Sequence, residues 1–113
     1  MKGESMSITV NLRYLGKNGA ARAFAEEMVR SGTVAAIRAE DGNEAYDYYI
    51  SLDDPDMLLL IDQWRDQAAI DAHHASPMME TIAKLRDKYD LHMEAQRFTP
   101  LDGGQQDDKF MRH

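Results

Sequence analysis

The chain has 113 residues, no cysteine, and 20 acidic against 13 basic side chains, a formal charge of −7. That length makes one domain with a modest core and leaves no room for a separate cofactor-binding domain. The absent cysteines exclude disulfides, thiolate metal sites and a thiol nucleophile, and the negative charge argues against a nucleic-acid or anionic-membrane partner, either of which needs a basic patch to displace counterions.

Ser7 to Tyr14 alternates, with Ile8, Val10, Leu12 and Tyr14 on one face, which predicts a half-buried strand. Gly16-Lys17-Asn18-Gly19 punctuates it, and Asn18 is the expected cap of a helix whose buried stripe is Ala20, Phe24 and Met28, widened by Ala21, Ala25 and Val29. Ser31-Gly32-Thr33 predicts a break, with Gly32 ending one helix and Thr33 capping a second piece from Val34 to Glu40. Asp41-Gly42-Asn43 is a turn, after which Ala45 to Leu52 reads as a strand with Tyr46, Tyr48, Ile50 and Leu52 facing one way. Met57 to Trp64 follows as a strand apolar on both faces, and the two strands are expected to form an antiparallel hairpin.

The stretch after Trp64 is the most distinctive. Asp66 stands where a helix N-cap belongs, His73 and His74 follow, and Ser76-Pro77 closes one helical segment and opens another, in which Met78, Ile82, Leu85 and Tyr89 form a buried stripe. Leu91 to Phe98 is the last strand. The order β-α-β-β-α-β predicts an α+β, ferredoxin-like domain over residues 1–104: a four-stranded antiparallel sheet with its helices on one face, followed by a polar tail over 105–113. Leu58 and Leu60 on one side of the third strand, with Leu59 and Ile61 on the other, leave no fully polar sheet face, so a homodimer closed through the sheets is expected. The tail pair Phe110-Met111 is expected to dock on its own or the partner subunit. Met1 to Met6 lacks the apolar core of a signal peptide and Met57 to Ile61 is too short to span a bilayer, so a cytoplasmic protein without membrane contact is expected.

Trp64 and His73 are the candidate site residues, because a strand running straight into a short helix keeps the two side chains close. Trp64 suits a substrate platform or simply a core aromatic, and either histidine suits a solvated or capped role or that of acceptor for a phenolic proton. Adjacent on a helix, His73 and His74 point about 100° apart, so only one is expected to enter a given pocket. Asn11 is a candidate hydrogen-bond donor to a substrate on the face opposite Ile8 and Val10. The tyrosines Tyr46, Tyr48 and Tyr49 read as sheet packing. Asp66, Asp71, His73, His74 and His92 have no metal-site spacing, so no metal is expected.

The run Asp54-Pro55-Asp56, then Leu58 to Pro77, resembles the antibiotic-biosynthesis monooxygenase superfamily and, within it, small proteins described as quinol monooxygenases. Arg38-Ala39-Glu40-Asp41-Gly42 resembles that family's Arg-Ala-Glu-Pro-Gly turn, with Asp41 in the proline's place. Met78 follows Pro77 where many relatives have a second histidine, and the extra histidine here is His74. The resemblance implies a dimeric α+β barrel and oxidation of a small phenol or hydroquinone by O₂ without flavin, haem or metal. It sets the family's tryptophan at Trp64 and its helix histidine, the implied catalytic residue, at His73. Trp64, Asn11 and His74 are the expected substrate contacts. The competing reading is a non-catalytic dimer that binds a small aromatic ligand or serves assembly.

Overall fold

Antiparallel pairing sets the architecture of this chain, whose computed structural model describes residues 7–101 and 109–112. Strands β1 (Ile8–Leu15), β2 (Asn43–Ile50), β3 (Met57–Trp64) and β4 (His92–Phe98) form one sheet in the order β2-β3-β1-β4, antiparallel throughout. Helices α1 (Ala20–Arg30) and α2 (Thr33–Arg38) connect β1 to β2, and α3 (Gln67–His74) and α4 (Met78–Lys88) connect β3 to β4. This is the ferredoxin-like arrangement, with each crossover helix broken in two.

β3 has its expected bounds and organises the sheet. Its residues alternate strictly between buried and half-buried, with Leu58, Leu60, Asp62 and Trp64 on the buried side. Register carries that face across the sheet in rows: Ile50–Leu58–Tyr14–Met93, Tyr48–Leu60–Leu12–Ala95 and Tyr46–Asp62–Val10–Arg97. Phe24 and Met28 of α1, Val34 and Ile37 of α2, and Ile82 and Leu85 of α4 join the buried strand residues in one core. Phe24 packs its ring 5.1 Å from that of Tyr14.

The opposite sheet face is divided. Asn11 and Arg13 of β1 and Glu94 and Gln96 of β4 make one half polar, while Leu59 and Ile61, half-buried, and Tyr49, exposed, make the other half apolar. Both faces of β3 are apolar, yet helices cover only one.

Several local expectations need correction. Asn18 does not cap α1. It adopts a left-handed conformation, φ 55°, Gly19 takes the cap position without a side-chain cap, and Asp56 from the β2–β3 connection holds the residue ahead of the helix, its Oδ1 accepting from Gly19 N–H at 2.9 Å. Thr33 is not a cap either. Gly32 takes that position at φ 83°, leaving Thr33 buried in the first turn of α2 with its hydroxyl 2.8 Å from that of Ser31. Val29 is 59% exposed, because the stripe through Ala21, Phe24 and Met28 is narrow. Strand β2 starts two residues early, through an irregularity at Asn43/Ala45, and stops at Ile50, so Leu52 projects from the connecting loop. Within the single chain Phe110 and Met111 stay exposed, so the tail pair is not docked on its own subunit. The rest of the expected tail, residues 105–108 and 113, lies outside the described residues.

Candidate active site

The site is built where β3 passes into α3. Trp64 ends the strand, Arg65 N–H donates to Gly42 O at 2.8 Å, and Asp66 caps α3 by accepting from Ala69 N–H at 2.9 Å. That cap fixes the phase of the helix. Seven residues on, His73 returns to the buried side, one turn beyond Ala69 and Ile70, and is itself only 6% exposed.

Two partners hold the imidazole. Nδ1 lies 2.7 Å from Oε2 of Glu40, at the end of the α2 turn; a carboxylate there accepts from Nδ1–H, fixes the tautomer and leaves Nε2 with its lone pair. The other partner is the Trp64 ring, stacked at 4.7 Å between centroids and 29° between planes. Trp64 Nε1–H donates in turn to Oδ1 of Asp62 at 2.9 Å. Glu40, His73, Trp64 and Asp62 thus form a continuous polar and aromatic chain.

Asp62 sits among apolar side chains at 6% exposure, and that burial pushes its carboxyl up to about 6, the bond from Trp64 opposing the rise. Burial likewise pushes the Tyr14 hydroxyl up to about 12 and that of Tyr46 well above the usual phenol range, so both remain neutral donors near pH 7. The Tyr46 ring stands edge-on to His73 at 6.5 Å.

These groups face a cavity of about 270 Å³ between the sheet and the second helix pair. Asp62 and Trp64 form one end, Val10, Leu12 and Ala95 the floor, and Ile70 and Ile82 the roof. Its size suits a ligand of one or two rings, near the lower end of the range for small-molecule sites of roughly 300–1,000 Å³. Arg86 of α4 and Arg97 of β4 stand on the wall away from β2.

Trp64, His73 and His74 meet at this cavity. Both histidines line it, with ring centroids 5.8 Å apart, which corrects the expectation that only one could: His73 is inside and the exposed His74 stands at the rim, where α3 ends. Asn11 does not join them. Its odd-numbered position on β1 turns it to the opposite sheet face, beside Arg13 and Glu94, with Oδ1 buried and unpartnered. Among the described residues no three His, Asp or Glu side chains converge to hold a metal ion.

Sequence reasoning missed Asp62, Glu40, Tyr46 and Arg86. Asp62 had a readable signal, since it shares parity with Leu58, Leu60 and Trp64 and so falls on the buried register of β3. Glu40 stood in the Arg38–Gly42 turn that resembles the family's, but its contact with His73 spans 33 residues and no local pattern joins the two.

A family model described as antibiotic biosynthesis monooxygenase matches residues 7–85. The chain belongs to this family. Among solved structures, this antibiotic biosynthesis monooxygenase family member is similar to PA3566 from Pseudomonas aeruginosa, at 25% identity and a TM-score of 0.75 over 88% of this chain and 99% of that one. It is similar to Rv0793 from Mycobacterium tuberculosis at 27% identity and a TM-score of 0.68, covering 86% of this chain and 97% of the other. SnoaB from Streptomyces nogalater, a cofactor-independent oxygenase, shares the fold at 19% identity and a TM-score of 0.73, over 87% of this chain and 96% of its own. No curated protein matches the sequence. The family match takes in Asp62, Trp64, His73 and His74 and stops one residue short of Arg86. No helix among the described residues is long and apolar enough to cross a membrane.

Proposed function

We propose that the protein is a cofactor-independent monooxygenase that oxidises a small phenol or hydroquinone with O₂, and that it works as a homodimer. The observation that carries this reading is the cavity itself, an apolar slot with an aromatic wall, Trp64, and two buried proton acceptors, His73 and Asp62, at one end. Phenols react with O₂ through their phenolates. A site that removes the phenolic proton and holds the anion out of water supplies what the uncatalysed reaction lacks.

In this scheme His73, held by Glu40, accepts the phenolic proton at Nε2. The phenolate passes one electron to O₂, and the resulting radical pair recombines to form a ring carbon–oxygen bond. The peroxide then loses water, which takes one oxygen atom, the ring hydrogen and the proton stored on His73. For a simple phenol the balance is phenol plus O₂ giving quinone plus water. Trp64 orients the ring by stacking, His74 lies at the entrance, and the Tyr14 and Tyr46 hydroxyls are donors toward the developing quinone oxygen. Asn11 contributes to the sheet face proposed to meet the second subunit rather than to this cavity. That face, with Leu59, Ile61 and Tyr49 uncovered, supports the homodimer.

An oxygen electrode tests the reading. Purified, chelator-treated protein with a panel of phenols and hydroquinones is expected to consume O₂ saturably for at least one of them, and His73→Ala to suppress that consumption. Uptake no faster than buffer across the panel removes the reading.

A further inference from the structure

One guanidinium, that of Arg86, stands half-buried on the cavity wall without an acid to balance it. In a chain with a surplus of acidic side chains, Arg38 and Arg65 have found carboxylates, at 3.0 and 3.1 Å. Arg86 and Arg97 have none within ion-pairing distance among the described residues. Arg86 is half-buried, and its Nη1 meets only the thioether of Met93, at 3.4 Å. Arg97, by contrast, is exposed and donates to the amide oxygen of Gln67. A thioether is a weak acceptor, so a partly desolvated guanidinium against it keeps most of its hydrogen-bonding capacity unspent.

The position of Arg86 relative to Asp62 gives the site a polarity. Arg86 meets Met93, whose row on the sheet, Leu58–Tyr14–Met93, lies four residues along the strands from the row of Asp62 and Val10, about 13 Å at the backbone. Asp62 and His73 thus offer hydrogen-bond acceptors toward one end of the cavity, and Arg86 offers donors toward the other.

We infer that the cavity binds hydroxyaromatic acids, with the phenolic hydroxyl toward Asp62 and His73 and a carboxylate held by Arg86. This rests on the monooxygenase reading for the reacting end alone. The anion end depends on Arg86, which lies past the segment matched by the family model. The inverse orientation sets a carboxylate against Asp62 and leaves the Arg86 guanidinium unpaired, so the polarity also dictates which end of the ring is delivered to the base. A guanidinium recognises a carboxylate through two parallel charge-assisted bonds, which a carboxamide cannot reproduce.

The test is calorimetric binding without turnover, in the absence of O₂, using 3-(4-hydroxyphenyl)propanoate and 6-hydroxy-2-naphthoate beside their carboxamides. The expected result is that at least one acid binds about 10-fold or more tightly than its amide, as a charge-assisted pair on a half-buried guanidinium predicts. The preference should shrink with added salt and collapse in Arg86→Gln, with folding checked by circular dichroism. Equal binding of acid and amide, tighter binding of the amide, or no measurable binding of either acid overturns the inference. If an acid binds with the expected preference but no hydroxyaromatic acid is oxidised once O₂ is admitted, the oxidation reading fails and the ligand assignment stands.

Discussion

The imidazole of His73 lies against the indole of Trp64, centroids 4.7 Å apart, while its Nδ1 is anchored 2.7 Å from Glu40. A ring pinned on its face and at one nitrogen has only the other nitrogen left for chemistry. His73→Ala should therefore lower any phenol-oxidising kcat by about 10²-fold, the lower range for loss of a general base, while His74→Ala should cost far less. Steady-state kinetics on folded variants decide this. The reverse ranking moves the base to the rim.

Asp62 makes a stability prediction of its own. Burial raises its carboxyl from 3.8 to about 6, so between those values the folded chain holds the proton more tightly than the unfolded one. Stability contributed by the protonated form is therefore withdrawn as pH rises through that window, and fully withdrawn above it. Asp62→Asn keeps an oxygen for Trp64 Nε1–H and removes the charge. It should stabilise the protein on the order of 1–3 kcal/mol near pH 7, with the gain vanishing near pH 4. Melting curves of both proteins across that range measure it.

Gly42 ties the Glu40 turn to the helix that carries His73. At φ 87° it occupies the left-handed region, its carbonyl accepts from Arg65, and an added Cβ would come within 2.5 Å of Ala69 Cβ. Gly42→Ala should cost at least about 1–2 kcal/mol from backbone strain alone. Because the clash pushes on α3, it should also lower turnover more than a surface change of equal destabilisation. Denaturant titration and kinetics on the same preparation separate the two effects.

Uncovered apolar residues on the open sheet face, together with exposed Phe110 and Met111, lead to a prediction about assembly. Light scattering at micromolar concentration should give twice the mass of one chain, and truncation after Gln106 should lower the melting temperature as apolar cover is lost. A monomeric mass contradicts the homodimer.

Strand β3, the Asp66 cap and the break before Thr33 were legible because each depends on neighbours in sequence: alternation, a carboxylate three residues before an amide, a glycine between two helical stripes. The Trp64–His73 pair was legible for the same reason, the connection being short. What escaped was non-local. Asp56 holds the Gly19 amide at the entry to α1 from 37 residues away, and Glu40 reaches His73 across 33. The parity that turns Asn11 away from the cavity was written in its alternation with Val10 and Leu12. Which face holds the cavity depends on where the helices pack.

The proposed reaction inserts one atom of O₂ into a phenolic ring without a cofactor. Turnover of an active hydroquinone or phenol under heavy-isotope O₂, followed by mass spectrometry of the quinone, tests it most directly. One labelled oxygen atom per product molecule is expected, with O₂ consumed in equal number, no accumulation of hydrogen peroxide, and no stimulation by added flavin or metal. Unlabelled quinone accompanied by stoichiometric hydrogen peroxide would contradict it, since that is the signature of simple electron transfer to O₂ rather than oxygen insertion.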